Sequence, residues 1–419
     1  MLELFQQAGY LSVPWHEDAD IYLLNTCTVT GTGDRKSEQA ARRVKREHPG
    51  SLLIVCGCLA QRESGRMLEL GAGVVLGTQN RSRVVELAAE ALSTGRPVCA
   101  VEPLSGSAPF ELLTVHRQDG HTRAVMKIQE GCDRACTYCI IPSVRGPVRS
   151  RPLDDIRAEA ARFRDAGYRE IVLTGIHLAS YGRDLSPAGA GNPQRITLLD
   201  AVSAVQETEG ILRIRLGSLE PNVATDAFAA RLSRMDKVCP QFHLALQSGS
   251  DTVLSRMKRC YNTAQYLAAA RRLRAAFPHA AFTTDILTGF PGETDREYQE
   301  TRDFISRMGF ARIHVFPYSQ RAGTPAADMP GQLPEAVREE RARRLISLGH
   351  DAAAAYLASW IGLESTLLPE EKINGRWEGY TPEYIRVTLP DGCECVSGRP
   401  LRVRLTGITS SGMSGVPLC

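Results

Sequence analysis

The sequence lacks a strong excess of charge of either sign. Its 50 Lys and Arg residues stand against 47 Asp and Glu, which leaves a formal net charge of only +3. Hydrophobic residues make up 43% and charged residues 23%, values that are ordinary for a globular protein. The overall charge therefore gives no reason to expect a polyanionic partner, and the length of 419 residues predicts two or three domains.

Lysine is scarce, with six residues against 44 arginines. Codon bias in a GC-rich genome would explain this imbalance without any function. Arginine-rich contact with phosphates is the functional alternative, because the planar guanidinium suits phosphate oxygens. The composition leaves both interpretations open.

The sequence also lacks a long apolar run. A helix that crosses a bilayer needs about 18 apolar residues or more, and the best candidate, Ala352 to Leu363, is shorter and contains Ser359. No basic and apolar signal peptide opens the sequence. We therefore expect a cytoplasmic protein that enters no membrane, with reduced thiols. Its 12 cysteines are then metal ligands or buried apolar side chains rather than disulfides.

Residues 1–98 alternate short apolar strands with helical patterns. In order, a strand, a helix, a strand and a helix are predicted at 20–27, 34–47, 51–58 and 81–95. This order predicts a doubly wound parallel sheet with helices on its faces. Residues 99–122 mix Pro, Gly and Ser without periodicity, which predicts a linker with one short strand at most.

Residues 123–358 repeat a strand–helix unit six times. Strands are predicted at 123–129, 169–175, 212–218, 242–248, 282–289 and 312–318. Helical patterns follow at 153–167, 222–235, 262–276 and 294–308, with a long Arg- and Ala-rich helix at 333–360. Six such units predict a full or partial α/β barrel. Residues 359–419 contain short strands between turn residues, which predicts a small antiparallel barrel and an α/β fold class overall.

Three cysteines, Cys132, Cys136 and Cys139, follow the first strand of the central region. Their spacing would suit a buried stripe on one helix face, but Gly131 and Pro142 on either side favour a loop. An odd number of reduced thiols argues against a disulfide, and zinc prefers four ligands. Iron–sulfur ligation fits better, because three thiolates on a four-iron cluster leave one iron open for a substrate or cofactor.

This C-x3-C-x2-C motif, with Tyr138 before its last cysteine, resembles the radical S-adenosylmethionine (SAM) superfamily. The similarity continues through "IVLTGIHLASYG", "HLALQSGSDTVLSRMKR", "ILTGFPGET" and "IHVFPYSQRAGTPA". Together with "NTCTVTGTGDRKS" and "GCLAQR", these stretches resemble the methylthiotransferases, and within them the MtaB group. The resemblance implies an N-terminal cluster domain, a radical SAM partial barrel and a C-terminal TRAM domain.

The resemblance further implies that Cys132, Cys136 and Cys139 bind a [4Fe–4S] cluster whose open iron chelates SAM. It places the following residues around SAM: Tyr138, Thr174, Gly175, Ile176, Ser218, Glu220, Gln247, Ser248, Gly289, Pro291 and Gly292. Taken singly, each is also compatible with an ordinary turn, and "GFPGET" lacks the Lys-Ser/Thr of a phosphate loop. None of the nine histidines is assigned a catalytic role.

The family carries a second, auxiliary [4Fe–4S] cluster on three N-terminal cysteines. Cys27 and Cys58 match two of them, each just past a predicted strand, and buried structural cysteines are the alternative. The family's first ligand, in a strand ending "TLGCK", has no counterpart here. A start codon placed too far downstream or a real loss of the ligand would explain this. We expect about four irons per chain rather than about eight. Cys56 is a substitute ligand only if it escapes the inertness of buried cysteines.

The implied reaction adds a methylthio group to C2 of N6-threonylcarbamoyladenosine at position 37 of tRNA, with an electron donor such as flavodoxin or ferredoxin. The anticodon loop is single-stranded, so its bases can enter a pocket. Arg399, Arg402 and Arg404 are candidate phosphate contacts, and a solvated basic strand is the alternative. Transfer to isopentenyladenosine, transfer to a ribosomal protein aspartate, and a plain iron–sulfur electron carrier are the rival functions.

Overall fold

The computed structural model describes residues 1–104, 108–115, 121–185 and 195–418. The chain divides into two compact units. Unit 1 comprises Met1–Val115, Glu130–Arg149 and Ser319–Asp328, and unit 2 comprises His116–Gln129, Ser150–Tyr318 and Met329–Cys419. Among the described residues, the helices all fall short of the length or the apolar character that a membrane span requires.

Unit 1 is built on a four-stranded parallel sheet in the order β1-β2-β3-β4. Its strands are β1 (Ile21–Thr26), β2 (Leu52–Gly57), β3 (Val74–Leu76) and β4 (Val98–Ala100). Its helices are α1 (Leu2–Gln7), α2 (Gly31–Glu47), α3 (Cys58–Arg62), α4 (Ser64–Glu69), α5 (Val84–Thr94) and α6 (Ile141–Arg145). The predicted strands and helices are confirmed, whereas β3, α3 and α4 were missed because each spans six residues or fewer.

The side chains of β2 alternate between the two faces of this sheet, and helices cover both faces. Leu53 and Val55 pack into one apolar cluster together with α2 residues, whereas Ile54 and Cys56 pack into another with α5 residues. All four side chains are buried, so the strand reads as a continuous apolar run in the sequence. The doubly wound arrangement predicted for this region is therefore confirmed.

The central region contains the six predicted barrel strands and one further strand of two residues, β6. Its strands are β5 (Arg123–Glu130), β6 (Arg149–Ser150), β7 (Glu170–Gly175), β8 (Arg213–Leu216), β9 (Gln241–His243), β10 (Ala281–Thr288) and β11 (Arg312–Pro317). They form the sheets β6-β5-β7-β8 and β11-β10-β9, which isolated bridges such as Leu219–Leu244 connect. The fourth barrel strand is shorter than predicted, since its pairing with β10 ends at His243, and Gln247 in the following segment adopts φ +68°.

Helices cover the outer side of these strands. They are α7 (Leu153–Asp165), α8 (Leu198–Gln206), α9 (Asp226–Leu232), α10 (Asp251–Arg256), α11 (Thr263–Ala276), α12 (Asp295–Met308) and α13 (Glu335–Ala358). Short 3₁₀ helices stand at Arg81–Arg83, Leu178–Ser180, Pro221–Val223 and Pro325–Asp328. Capping boxes begin α11 at Asn262 and α12 at Thr294, which satisfies amides that would otherwise lack partners.

The C-terminal strands close into a five-stranded barrel in the order β12-β13-β14-β16-β15. They are β12 (Glu364–Ile373), β13 (Arg376–Tyr380), β14 (Arg386–Thr388), β15 (Leu401–Ile408) and β16 (Met413–Pro417). The predicted antiparallel pairing is wrong for one pair, since β14 and β16 are parallel. The chain crosses the barrel after β14 to form β15 beside β12, and the next hairpin returns β16 along the direction of β14.

Two buried arginines of β8 tie the small barrel to the central one within unit 2. Arg213 donates to the carbonyl oxygens of Thr366 (2.6 Å) and Tyr380 (2.9 Å). Arg215 donates to the Pro382 carbonyl (2.9 Å) and pairs with buried Glu170 (2.9 Å). Since Arg213 and Glu170 begin their strands, the small barrel covers the N-terminal ends of the barrel strands.

Candidate functional site

The three-cysteine loop runs without regular structure from the end of β5 to α6. Gly131 adopts φ +72°, and a Cβ there would lie 1.8 Å from the Pro147 carbonyl oxygen, so only glycine fits. The Cys132 amide donates to the Gly146 carbonyl (3.0 Å), which closes the loop. Pro142 lies in the first turn of α6, where its missing N–H costs nothing. The loop predicted in place of a helical stripe is confirmed.

The thiols of this loop suit an iron–sulfur cluster. Cys132, Cys136 and Cys139 are all partly exposed, and none of them forms a disulfide with another described cysteine. Burial raises the pKa of the Cys132 thiol, so binding to iron would be needed to hold it as a thiolate at neutral pH. Three accessible soft donors in one loop fit a four-iron cluster with one open iron. Tyr138, predicted to lie near SAM, belongs to the same loop.

Cys27 and Cys58 follow the ends of two paired strands in unit 1. The parallel register of β1 and β2 pairs Thr26 with Gly57, so both cysteines leave the same edge of the sheet. Gly57 has φ +98°, and a Cβ there would approach the Thr26 carbonyl oxygen to 2.5 Å. The structure therefore brings the two predicted auxiliary ligands to one edge, with Cys27 exposed and Cys58 buried.

Cys58 has a cationic partner that sequence analysis missed. The Nε of Arg145 donates to the Cys58 Sγ over 3.0 Å, and the same guanidinium pairs with the buried carboxylate of Glu130. Cys58 also packs against Ile140 and Val144, which directly follow the three-cysteine loop. Arg145 therefore links the candidate auxiliary ligand Cys58 to the residue that precedes the three-cysteine loop. The motif "IIPSVRG" contains no signal of this role, because the partner lies 87 positions away.

Cys56 behaves as a buried structural thiol. Burial raises its pKa to about 11, and its Sγ lies 3.7 Å from the Asn25 side-chain oxygen. A thiol with this pKa is protonated at neutral pH in the absence of a metal. That Cys56 does not replace a missing cluster ligand stays a prediction.

A buried arginine, Arg321, connects the segment Ser319–Asp328 to the loop that contains Cys27. Arg321 is 6% exposed and donates to the Thr28 carbonyl (2.8 Å) and the Asp34 carboxylate (2.6 Å). The Ala326 amide of the same segment donates to the Thr137 carbonyl (2.8 Å) in the three-cysteine loop. These bonds hold both cysteine-bearing loops of unit 1 in place, and sequence analysis did not single out Arg321.

The residues predicted around SAM in unit 2 follow the C-terminal ends of its strands. They are Thr174, Gly175 and Ile176 at β7, Ser218 and Glu220 after β8, Gln247 and Ser248 after β9, and Gly289, Pro291 and Gly292 after β10. Barrel enzymes build their sites at this end of the strands. A Cβ on Gly175 would lie 2.8 Å from that of Gln129, so this glycine permits the close approach of β7 to β5.

Some of these side chains have contacts that shape turns. Ser248 is buried, with its Oγ 3.2 Å from the Thr301 Oγ1, and the Ser250 amide donates to it. The amide of Gly289, at φ +73°, donates to the Glu293 carboxylate (3.0 Å). Ser248 and Gly289 therefore position the backbone of their turns.

Glu220 is buried but has several charged and polar neighbours. Its Oε2 lies 3.3 Å from the Nε2 of His177, and its Oε1 lies 3.5 Å from the guanidinium of Arg259. His177 also contacts the Ser180 hydroxyl, and its amide donates to the Gln129 side chain (2.6 Å). His177 thus positions Glu220, a role that the scattered histidines of the sequence did not indicate.

Comparison with known proteins agrees with this architecture. Residues 126–305 match the Radical SAM superfamily, and residues 1–77 match the Uncharacterized protein family UPF0004. The radical SAM methyltransferase TsrM from Kitasatospora setae has the same fold with a TM-score of 0.56 at 15% identity, over 74% of this chain and 64% of that chain. A partial barrel with a three-cysteine loop after its first strand defines a radical SAM enzyme, which uses SAM and a [4Fe–4S] cluster.

Relatives of similar length identify the family. Threonylcarbamoyladenosine tRNA methylthiotransferase MtaB of Bacillus subtilis is 39% identical over 409 residues, which cover 96% of this chain and 89% of that protein. MtaB of Thermotoga maritima is 32% identical over 92% of the chain. The tRNA-2-methylthio-N(6)-dimethylallyladenosine synthase of Symbiobacterium thermophilum is 36% identical over 97%. The chain belongs to the radical SAM methylthiotransferase family that contains MtaB.

Proposed function

We propose that the protein transfers a methylthio group to C2 of N6-threonylcarbamoyladenosine at position 37 of tRNA. The observation that carries this proposal is the loop of three accessible thiols at the end of the first barrel strand. It stands in a chain that aligns over 96% of its length with MtaB of Bacillus subtilis.

The chain's own residues prepare the site for this chemistry. Cys132, Cys136 and Cys139 would hold a cluster that, with bound SAM, would supply radical chemistry, which adenine C2–H requires because it is neither acidic nor electrophilic enough for polar substitution. Gly131 permits the tight turn that presents the three thiols. Glu220, oriented by His177, stands where the family contacts the SAM ribose. The other SAM contacts predicted at the strand ends are part of the same proposal.

The proposal also includes a second, auxiliary cluster at Cys27 and Cys58. The sequence offers two of the family's three thiols, and Arg145 supplies a cation to one of them. Iron content after anaerobic reconstitution tests this second cluster, because about eight irons per chain correspond to two full clusters and about four to one.

The proposed RNA contacts lie on the small C-terminal barrel. Arg402 and Arg404 both pair with Glu364, at 2.7 and 2.9 Å, so they share one strand face with Arg399 nearby in sequence. Exposed pairs of this kind contribute little free energy, so tRNA phosphates can replace Glu364 as the partner.

The proposal includes a flavodoxin- or ferredoxin-like electron donor and a cytoplasmic location, where tRNA is modified. The proposal also divides the chain into an N-terminal cluster domain (1–98), a linker (99–122), a radical SAM core (123–358) and a TRAM-like domain (359–419).

Mass spectrometry of tRNA from a strain that lacks this gene tests the function. We expect N6-threonylcarbamoyladenosine to lose its methylthio group, and the wild-type gene to restore it, whereas a Cys132→Ala gene does not. Loss of the methylthio group from isopentenyladenosine instead would favour the activity named for the Symbiobacterium relative. An unchanged set of nucleosides would refute both.

A further inference from the structure

The edge strand β11 presents three side chains on the inner face of the partial barrel. Ile313 packs so closely against α13 that a Cβ on Gly349 would lie 2.4 Å from the Ile313 Cγ1. Because side chains alternate along a strand, Arg312, His314 and Phe316 point to the opposite face. Phe316 is 46% exposed and Arg312 is also exposed. We call these three residues the β11 face.

Polar groups from β9 and β10 continue the β11 face. The parallel register pairs Asp285 with His314. The Asp285 carboxylate lies 3.3 Å from the Nε2 of His243, and the Nδ1 of that histidine lies 3.0 Å from the Thr283 hydroxyl. Asp285 is therefore already held by a neighbour, and the middle of this inner surface is hydrogen-bonding rather than apolar.

Arg312 differs from the other arginines of the barrel strands. Arg123 pairs with Glu370 over 2.8 Å, and Arg215 pairs with Glu170 over 2.9 Å. For Arg312, by contrast, the described part of the chain offers no carboxylate within ion-pair distance. An exposed cation on an otherwise satisfied surface is suited to bind an anionic group of a ligand.

We propose, on the basis of the function proposed above, that the β11 face binds the substituted adenine and that Arg312 binds the carboxylate of its threonyl group. The threonylcarbamoyl substituent ends in a carboxylate, whereas an isopentenyl substituent is apolar. A cation at this position therefore favours the threonylcarbamoyl substrate. It disfavours the isopentenyl substrate, because that substrate would desolvate the guanidinium without giving it a partner.

The dimensions of the strand agree with this assignment. A strand rises about 3.3 Å per residue, so Phe316 and Arg312 lie about 13 Å apart. Phe316 pairs with Leu287, two residues before the predicted SAM turn at Gly289, so an adenine stacked on Phe316 lies at the reactive end of the barrel. The substituent then extends along β11 towards the guanidinium.

His314 lies between these two positions, beside the expected carbamoyl linkage. Burial, reinforced by the charge of Arg312, lowers the pKa of His314 below its usual 6.5. The imidazole is therefore neutral at pH 7, with one nitrogen that donates and one that accepts a hydrogen bond. The accepting nitrogen can bind an N–H group of the carbamoyl linkage, and the donating nitrogen can bind its C=O group.

Two synthetic anticodon stem-loops test the proposal with the reconstituted full chain. One RNA contains N6-threonylcarbamoyladenosine, and the other contains its threonine amide, which lacks the negative charge. We expect the wild-type protein to prefer the first by at least about tenfold in kcat/KM, because a charge-assisted contact is lost with the second. Arg312→Gln should abolish this preference, mainly through KM, and Arg312→Lys should restore part of it. Phe316→Ala should raise KM for both RNAs alike.

The exposed Arg271 of α11 provides the matched control, since Arg271→Gln removes the same charge from an outer helix. It should leave both KM values unchanged. A wild-type preference that persists in Arg312→Gln would overturn the assignment of Arg312 while the proposed function stands. A wild-type protein that cleaves SAM but modifies neither RNA would overturn the proposed function, and this inference with it.

Discussion

The Nε of Arg145 lies 3.0 Å from the Sγ of Cys58, so a residue that follows the three-cysteine loop contacts the candidate ligand of the other cluster. The same guanidinium pairs with Glu130, which immediately precedes that loop and is 3% exposed. Arg145 therefore connects the two cysteine-bearing regions of unit 1 through a hydrogen bond to Cys58 and an ion pair with Glu130.

Removal of this contact should destabilise unit 1. Arg145→Gln leaves the buried carboxylate of Glu130 without its nearest cation, while Arg81 lies 3.6 Å from that carboxylate. We expect a loss of about 3 kcal/mol in the free energy of unfolding, measured by urea denaturation. The double variant Arg145→Gln/Glu130→Gln should recover part of this loss. Equal midpoints for the single variant and the wild type would contradict a stabilising role.

The two cysteine groups should have separable roles. Cys132→Ala should abolish SAM cleavage under dithionite, because the loop then lacks one cluster ligand. Cys58→Ala should leave cleavage intact and stop methylthio transfer. The exposed Cys99 is the control, and Cys99→Ser should retain both activities. The product 5′-deoxyadenosine, measured by chromatography, reports cleavage, and its formation by Cys132→Ala would refute the ligand assignment.

The backbone at Gly131 should be as important as the thiols. In Gly131→Ala, the new Cβ meets the Pro147 carbonyl oxygen and φ becomes unfavourable, so the loop must move. We expect the iron bound per chain to fall at least severalfold after reconstitution. Gly65 of α4 has no neighbour within 4 Å of a Cβ, so Gly65→Ala should keep the wild-type iron content. Full iron binding by Gly131→Ala would show that the loop tolerates the shift.

The pair Arg256–Glu297 predicts a pH dependence of stability. The guanidinium donates to both carboxylate oxygens, at 2.8 and 2.9 Å, and lowers the pKa of Glu297 to about 2 from 4.5. A depressed pKa stabilises the fold above about pH 4.5, and this contribution is lost as the pH falls towards 2.

Arg256→Gln should therefore cost about 1 kcal/mol at pH 7, and its difference from the wild type should shrink as the pH falls from about 4.5 towards 2 in urea titrations. Arg296→Gln removes an exposed arginine of the same region and should show no such trend. A difference that stays constant with pH would exclude this origin.

The arginines of β15 should add to tRNA affinity. Arg402→Gln/Arg404→Gln should weaken binding and reduce the slope of log K against log salt by about 1 to 2, since each phosphate contact releases counterions. Arg376→Gln, in the same barrel and paired with Asp391, is the control. Deleting residues 362–419 is a poorer test, because it removes the carbonyl acceptors of buried Arg213 and Arg215. An unchanged salt slope would assign tRNA binding to another surface.

The order of the elements and the place of the three-cysteine loop were predictable from the sequence, because both depend on local signals. Strand β2 could be recognised as an apolar run, and α5 ends at Gly95, which adopts the left-handed conformation that its type favours. Gly131 and Pro142 marked a loop for the same reason. The short strand β3 could not be predicted from the sequence, because its three residues are too few to show a periodicity.

Contacts between distant positions were decided only by the tertiary structure. Arg145 and Cys58, Arg321 and Asp34, and His177 and Glu220 are pairs of ordinary residues whose spacing carries no pattern. The parallel pairing of β14 with β16 likewise follows from barrel closure rather than from either strand. The sequence by itself determined which thiols are available and in what order. The packing of the strands determined which side chains surround these thiols. It brings residues that are distant in the sequence to within about 3 Å of one another.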